Sequence, residues 1–198
     1  NFVQEMINST SFLAKCVARE TGKSYKDSHG EVLGSIAQGQ FFAGEGRRFY
    51  GRTLTSGVYR KYSQTVRTPL GVAGLIVPAN TPIANIAWKI FPALICGNSI
   101  VLKASEDAPE IALIIARLSK KAGIPDGVFN VIQGTGSPAG SSIVKSKKVS
   151  VVSFTGSTHV GTIIATEVGR RMGRVSLELG GKNPFVVCDD ANLDNAVE

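Results

Sequence analysis

Cysteine and histidine are scarce in this sequence. Its three cysteines, Cys16, Cys96 and Cys188, are odd in number and lack C-x-x-C spacing, and its two histidines, His29 and His159, stand far apart. A disulfide framework, a zinc site and a multi-histidine metal centre are therefore not expected, and reduced thiols in a cytoplasmic protein are the default. Long unbroken apolar runs are missing too. From Leu70 to Trp88 there is no charged residue, but Pro78, Asn80, Pro82, Asn85 and two glycines interrupt the stretch. Two buried elements joined by a turn are expected there, not a membrane span. No apolar run follows the N-terminus, as a secretory signal requires. The chain opens at Asn1 without an initiator Met, which points to a processed chain or a piece of a longer one.

What is present is a globular composition. With 198 residues, 43% hydrophobic and 19% charged, the chain can bury a substantial core, which excludes a disordered tail or a collagen-like polymer. The formal charge of +7 permits acidic ligands without choosing among them. The clusters Lys145-Lys147-Lys148 and Arg170-Arg171-Arg174 have no aromatic platform beside them, so they are taken as solvated faces and nucleic acid is not an expected partner.

Residues 1–65 show helical spacing. Phe2, Met6, Phe12, Leu13, Cys16 and Val17 predict one helix that stops at Gly22, and Val32, Ile36, Phe42 and Phe49 predict a second over roughly Glu31 to Tyr50. From residue 66 onward β-branched runs begin near Val72, Ser99, Val128, Val149 and Val175, separated by roughly 20–30 residues that carry a helical pattern, the length of a βαβ crossover. The expectation is an α/β fold, an open parallel sheet with helices on both faces, preceded by an N-terminal helical segment. Thr81-Pro82, Asp107-Ala108-Pro109, Ser137-Pro138 and Ser157-Thr158 open the crossover helices. Pro92 is expected to kink the first of these near its end.

In an open parallel sheet ligands sit just past the carboxyl ends of the strands. Five such ends carry polar or glycine residues: Val77-Pro78-Ala79-Asn80, Lys103-Ala104-Ser105-Glu106, Gly134-Thr135-Gly136, Phe154-Thr155-Gly156-Ser157 and Glu178-Leu179-Gly180-Gly181. Gly134-x-Gly136-x-x-x-Gly140 misses the dinucleotide fingerprint by one residue, yet its bare backbone before a Ser-Pro start leaves room for a phosphate at a positive helix end, and Gly156-Ser157 offers a second such place. Lys103 and Glu106 stand three residues apart: either a surface ion pair, or a carboxylate that accepts both ribose hydroxyls and repels a 2′-phosphate, favouring NAD over NADP. Glu178, between two leucines, points either to solvent or into a cleft where desolvation would suit it to general-base work. Asn80 could donate to an oxyanion or simply belong to its turn.

Taken together these segments resemble the aldehyde dehydrogenase superfamily from about Thr21 to Glu198. The most specific pieces are Phe154-Thr155-Gly156-Ser157-Thr158-x-Val160-Gly161 and Leu177-Glu178-Leu179-Gly180-Gly181-Lys182-Asn183-Pro184, supported by Val77-Pro78-Ala79-Asn80-Thr81-Pro82, Ala87-Trp88-Lys89 and Gly97-Asn98 through Lys103. The resemblance implies a Rossmann-like NAD-binding domain over 66–198, after an N-terminal helical segment over 1–65. It also implies a cysteine thiolate that attacks an aldehyde, hydride transfer to NAD(P), and hydrolysis of the thioester by water that a glutamate activates. It gives Glu178 the role of that base, Asn80 that of oxyanion donor, and Lys89 that of a lysine proposed to relay protons. Lys103 and Glu106 correspond to adenosine ribose contacts. Phe154, Gly156, Ser157 and Val160 correspond to pyrophosphate and adenine-side contacts, and Gly136 and Gly140 to the glycine loop. Ile76, Val77, Pro78, Ala79, Asn80, Ser105, Thr155 and Leu179 complete the cofactor-binding set, with Ala79 standing where many relatives carry Trp. No metal is implied. Relatives that transfer the acyl group to coenzyme A usually lack the glutamate, so Glu178 favours a free acid as product.

The nucleophilic cysteine follows the glutamate motif in the family, and none of the three cysteines here matches it; all three are taken as packing residues. The chain thus looks like most of a cofactor-binding domain, without the catalytic domain, the earliest residues and the family's bridging strands, and inactive alone. The parent is expected to be a cytoplasmic homo-oligomer, dimer or tetramer, acting on a small-molecule aldehyde. The alternative is a non-catalytic nucleotide-binding module.

Overall fold

The computed structural model describes residues 1–197; Glu198, the last residue of the expected second segment, lies outside the described residues. The helical spacing at the start produces α1 (Phe2–Asn8) and α2 (Thr10–Thr21), not the single expected helix. The break follows from Thr10, whose hydroxyl donates to the Ile7 carbonyl at 2.7 Å and so satisfies the end of α1. Gly22, at φ 74°, closes α2 as expected. α3 runs Tyr25–Glu45, earlier at both ends than its apolar spacing suggests, because the Ser24 hydroxyl caps it by accepting from the Asp27 N–H. An unexpected pair of strands follows α3. Thr53–Thr55 (β1) and Tyr62–Gln64 (β2) pair antiparallel in a hairpin that is exposed throughout, where residues 1–65 were expected to be helical and free of bridging strands. The strands are three residues each, too short for alternation to be visible.

The remainder follows the βαβ spacing. The order is β3 (Val72–Ile76), α4 (Pro82–Ile95), β4 (Ser99–Lys103), α5 (Glu110–Lys121), β5 (Phe129–Ile132), α6 (Ser141–Lys145), β6 (Val149–Gly156), α7 (Thr158–Arg170), β7 (Arg174–Leu179) and a final turn of helix, α8 (Leu193–Val197). The five strands form one parallel sheet in the order β5-β4-β3-β6-β7. Successive crossovers move outward from β3 to β5, and the chain then returns to the other side of β3. The switch point, where such a sheet opens a crevice, therefore lies between β3 and β6. The register sets Ile132, Lys103, Ile76, Phe154 and Leu177 in one row near the carboxyl edge, with Thr155 and Glu178 one step beyond.

Two cores flank the sheet. On one face α4 and α5, covered in turn by α1–α3, pack Leu13, Val17, Ile83, Ile86, Ile90 and Ile111 against Ile100 and Leu102. On the other, α6 and α7 bring Ile143, Val144, Ile164 and Val168 against Ile76, Val152 and Phe154. Burial of each such side chain contributes about 1.5–3 kcal/mol. Two crossover helices are capped from outside themselves. Thr81 makes no side-chain cap to α4; the Glu31 carboxylate accepts from the Ala84 N–H instead, at 3.2 Å. The Glu20 carboxylate accepts from the N–H groups of Glu110 and Ile111 at the start of α5. α4 continues through Pro92 to Ile95. Among the described residues no helix is long and apolar enough to cross a membrane.

Candidate functional site

A cleft of about 820 Å³ opens past the carboxyl ends of β3, β4 and β6. Its floor is Ile76, Val77, Pro78 and Phe154. One wall carries Lys103, Ser105 and Glu106; the glycine loop supplies Gly136 and Gly140; Thr155, Gly156, Ser157 and Val160 form the rim at α7. Thirteen of the residues singled out by sequence thus share one hollow. Ala79, Asn80, Glu178 and Leu179 do not line it. The sheet explains the division. Along β6, Val152 and Phe154 pack toward α6 and α7, whereas Val151 packs toward α4. Thr155 alternates to the α4 side and pairs in register with Glu178 of β7. Asn80 precedes α4, and Asn85 of that helix donates to its Oδ1 at 3.4 Å. The cleft therefore lies on one side of the sheet edge, and Asn80 and Glu178 each lie toward the other. Of the two alternatives for Glu178, the structure shows the exposed one.

At the β4 end, Lys103 is buried and its Nζ donates to Glu106 Oε2 at 2.7 Å, so the pair is half-buried, not a surface pair. The Gly136 N–H donates to the other carboxylate oxygen at 3.3 Å. The hydrogen bond from Lys103 is the main reason that the Glu106 carboxyl is held below the ordinary carboxylate range, and it is ionised at neutral pH. The glycine loop forms a π-helical turn, Gly136–Gly140, that runs directly into α6. A short helix does open after Ser137-Pro138, but it starts at Ser141. At the next loop, Ser157 accepts from the Val160 N–H and caps α7, as its position predicts. Gly156 is required there because a Cβ would lie 2.5 Å from the Phe154 ring folded beneath it.

The far end of the cleft is built from residues that no motif marks. Val144 and Lys145 of α6 face Ile163, Ile164, Glu167 and Arg170 of α7, forming an apolar slot with charged residues at its mouth. Their apolar periodicity marks helices and carries no sign of a ligand. The basic cluster is partly structural: Arg171 donates to the carbonyls of Val144 and Val149, and Arg170 pairs with Glu167. The cysteines also differ from expectation. Cys16 is buried, and burial pushes its thiol up to about 12, far from a nucleophile. Cys96 and Cys188 are exposed and are not packing residues, because one closes α4 and the other lies in the open segment after β7. Among the described residues there is no group of three or more His, Cys, Asp or Glu that could hold a metal.

The cleft can hold a dinucleotide by its donor set and shape. It combines a charged acceptor beside a buried cation, bare backbone around Gly136 where no atom beyond its chain neighbours lies within 4 Å of a would-be Cβ, a helix N-terminus, and an apolar stretch lined by Val144, Ile163 and Ile164. Known proteins agree with this architecture. Human mitochondrial succinate-semialdehyde dehydrogenase is 40% identical over 195 residues, which are 97% of this chain and 36% of that protein. The crystal structure of an NAD-dependent aldehyde dehydrogenase from Sinorhizobium meliloti superposes with a TM-score of 0.93 at 36% identity, covering 98% of this chain and 39% of that one. An NADP-dependent enzyme of E. coli superposes with a TM-score of 0.94 at 38% identity, over 100% of this chain and 41% of that one. The chain thus spans well under half the length of the relatives it matches. The profile of the aldehyde dehydrogenase family matches residues 1–198, and with this fold and these loops the chain belongs to that family.

Proposed function

We propose that this chain is the cofactor-binding portion of an NAD-dependent aldehyde dehydrogenase that oxidises an aldehyde to a carboxylic acid. The observation that carries the reading is the half-buried Lys103–Glu106 pair at the mouth of the cleft, tied to the glycine loop through Gly136. Glu106 accepts from the ribose hydroxyls of the adenosine, and its charge disfavours a 2′-phosphate. Ser157 and the first turn of α7 take the pyrophosphate, with Gly136, Gly140 and Gly156 leaving it room. Val160 and the α6–α7 slot take the adenine. Ile76, Val77, Pro78, Ser105, Phe154 and Thr155 shape the wall, and Ala79 and Leu179 stand outside the cleft at the same sheet edge. When bound, the nicotinamide supplies a hydride acceptor. On the α4 side of the sheet edge, Asn80 offers its amide to a developing oxyanion and Glu178 accepts a proton from water. Burial lowers Lys89 to about 8, while the charge of Glu178 works in the opposite direction, so Lys89 can exchange protons near neutral pH.

None of the three cysteines is placed as the nucleophile in this proposal, and these residues alone bind nucleotide without turning over aldehyde. Cytoplasmic location belongs to the same reading, on the three unpaired thiols. So does assembly of the parent as a dimer or tetramer, for which the exposed hairpin residues Leu54 and Tyr62 offer a surface. Calorimetric titration tests the reading. NAD is expected to bind with NADP at least about tenfold weaker, and NAD with an aldehyde is expected to give no NADH. Absence of NAD binding would overturn the cofactor site, and steady NADH production would overturn the assignment of the cysteines.

A further inference from the structure

The sheet face opposite the cleft holds a polar contact that nucleotide binding does not use. Lys89 lies in the middle of α4 and is 7% exposed, among neighbours such as Ile86 and Ile90 that belong to the core. Its Nζ donates to Ser153 Oγ at 2.9 Å, the one hydrogen bond that its ammonium makes among the described residues. Ser153 sits two residues before Thr155 on the same side of β6. Register pairs Ser153 with Ser176 and Thr155 with Glu178, which puts Lys89, Ser153 and Glu178 on one side of the sheet. A lysine head in an apolar layer is costly, and packing alone would be served by Met or Leu at position 89.

The geometry points to Ser153 as a positioning residue for proton transfer, its hydroxyl fixing the Lys89 head on the side of the sheet that carries Glu178, as the receiver of the proton that Glu178 takes from water. This inference rests on the reading of Glu178 as the base. As the water oxygen bonds to the acyl carbon of the substrate, its proton passes to the Glu178 carboxylate and on to a Lys89 head in its neutral form, a minority at neutral pH that grows as pH rises through about 8. Glu178 returns to carboxylate, and the new ammonium donates to Ser153 Oγ. Two influences on Lys89 support the scheme: burial draws it down to about 8, and Glu178 is the charged side chain among the described residues that opposes this. A hydroxyl oxygen accepting from the ammonium favours the charged form further. Without Ser153 the head would have no acceptor in the sheet, and its rotamers would not be held toward β7.

The test is an NMR titration of this chain with labelled lysine side chains, the Lys89 signal being assigned by its loss in Lys89→Arg. In Ser153→Ala, Lys89 is expected to titrate about one pH unit lower than in the parent chain. Ser153→Cys keeps the volume and weakens the acceptor, and should move it the same way. Ser153→Thr keeps the hydroxyl and should restore the original midpoint. Glu178→Gln should also lower it. A Lys89 midpoint unchanged in folded Ser153→Ala and Ser153→Cys would overturn the role of Ser153. A midpoint that responds to the Ser153 variants but ignores Glu178→Gln would instead overturn the reading of Glu178 on which the inference rests.

Discussion

Replacing Glu106 with serine will weaken NAD binding by roughly 10- to 100-fold and narrow or reverse the preference over NADP. The carboxylate is the acceptor best placed for a pair of ribose hydroxyls, and hydrogen bonds to a charged partner are stronger than neutral ones. It is already oriented before any ligand arrives, held by Lys103 Nζ at 2.7 Å and by the Gly136 N–H at 3.3 Å. Serine removes the charge that repels a 2′-phosphate, and Lys103, buried behind it, is freed to approach that phosphate. NADP affinity is therefore expected to hold or rise while NAD affinity falls. Parallel titrations of the parent and variant chains measure both constants. Equal, unchanged affinities would remove Glu106 from the nucleotide site.

Gly74→Val is expected to cost about 3 kcal/mol of stability and to weaken nucleotide binding with it. Gly74 lies in the middle of β3, where a single Cβ would come within 2.3 Å of Ile143 Cγ2 and 3.0 Å of Val149 Cγ1. Those two side chains belong to the α6–α7 core, and α6 also contributes Ser141, Val144 and Lys145 to the cleft. Room for a branched side chain has to come from displacing Ile143 of α6 and Val149 of β6, which loosens α6 against the sheet and spreads the slot opposite α7. A denaturation midpoint lowered at unchanged slope, together with a weaker NAD titration, would bear this out. Unaltered stability would show that the layer is not packed as tightly as the backbone approach implies.

Much of the cleft was legible in sequence because its signals are local. β-branched runs set the strands, Ser-Thr and Ser-Pro pairs set helix starts, and the polar residues just past each strand fall on one edge once the strands are parallel. Lys103 and Glu106 could be joined because three residues separate them. The contacts that were missed connect distant parts of the chain. Glu31 caps α4 and Glu20 caps α5 from other helices, and neither carboxylate differs in sequence from a solvated one. Ser153 is an ordinary polar residue in a strand until α4 sets Lys89 against it. The division of the candidate residues between two faces was hidden for a similar reason. Alternation along β6 separates Phe154 from Thr155, but only the packing of helices tells which face receives the cleft. The hairpin of β1 and β2 escaped because three-residue strands leave no period to find.

The most direct measurement is a crystal structure of this chain with NAD bound. The adenine should lie between α6 and α7 against Val160. The ribose hydroxyls should be within hydrogen-bond reach of Glu106, and the pyrophosphate should rest at Ser157 on the first turn of α7. A dinucleotide seated on the α4 face of the sheet, or away from the ends of β3, β4 and β6, would contradict the assignment of the cleft.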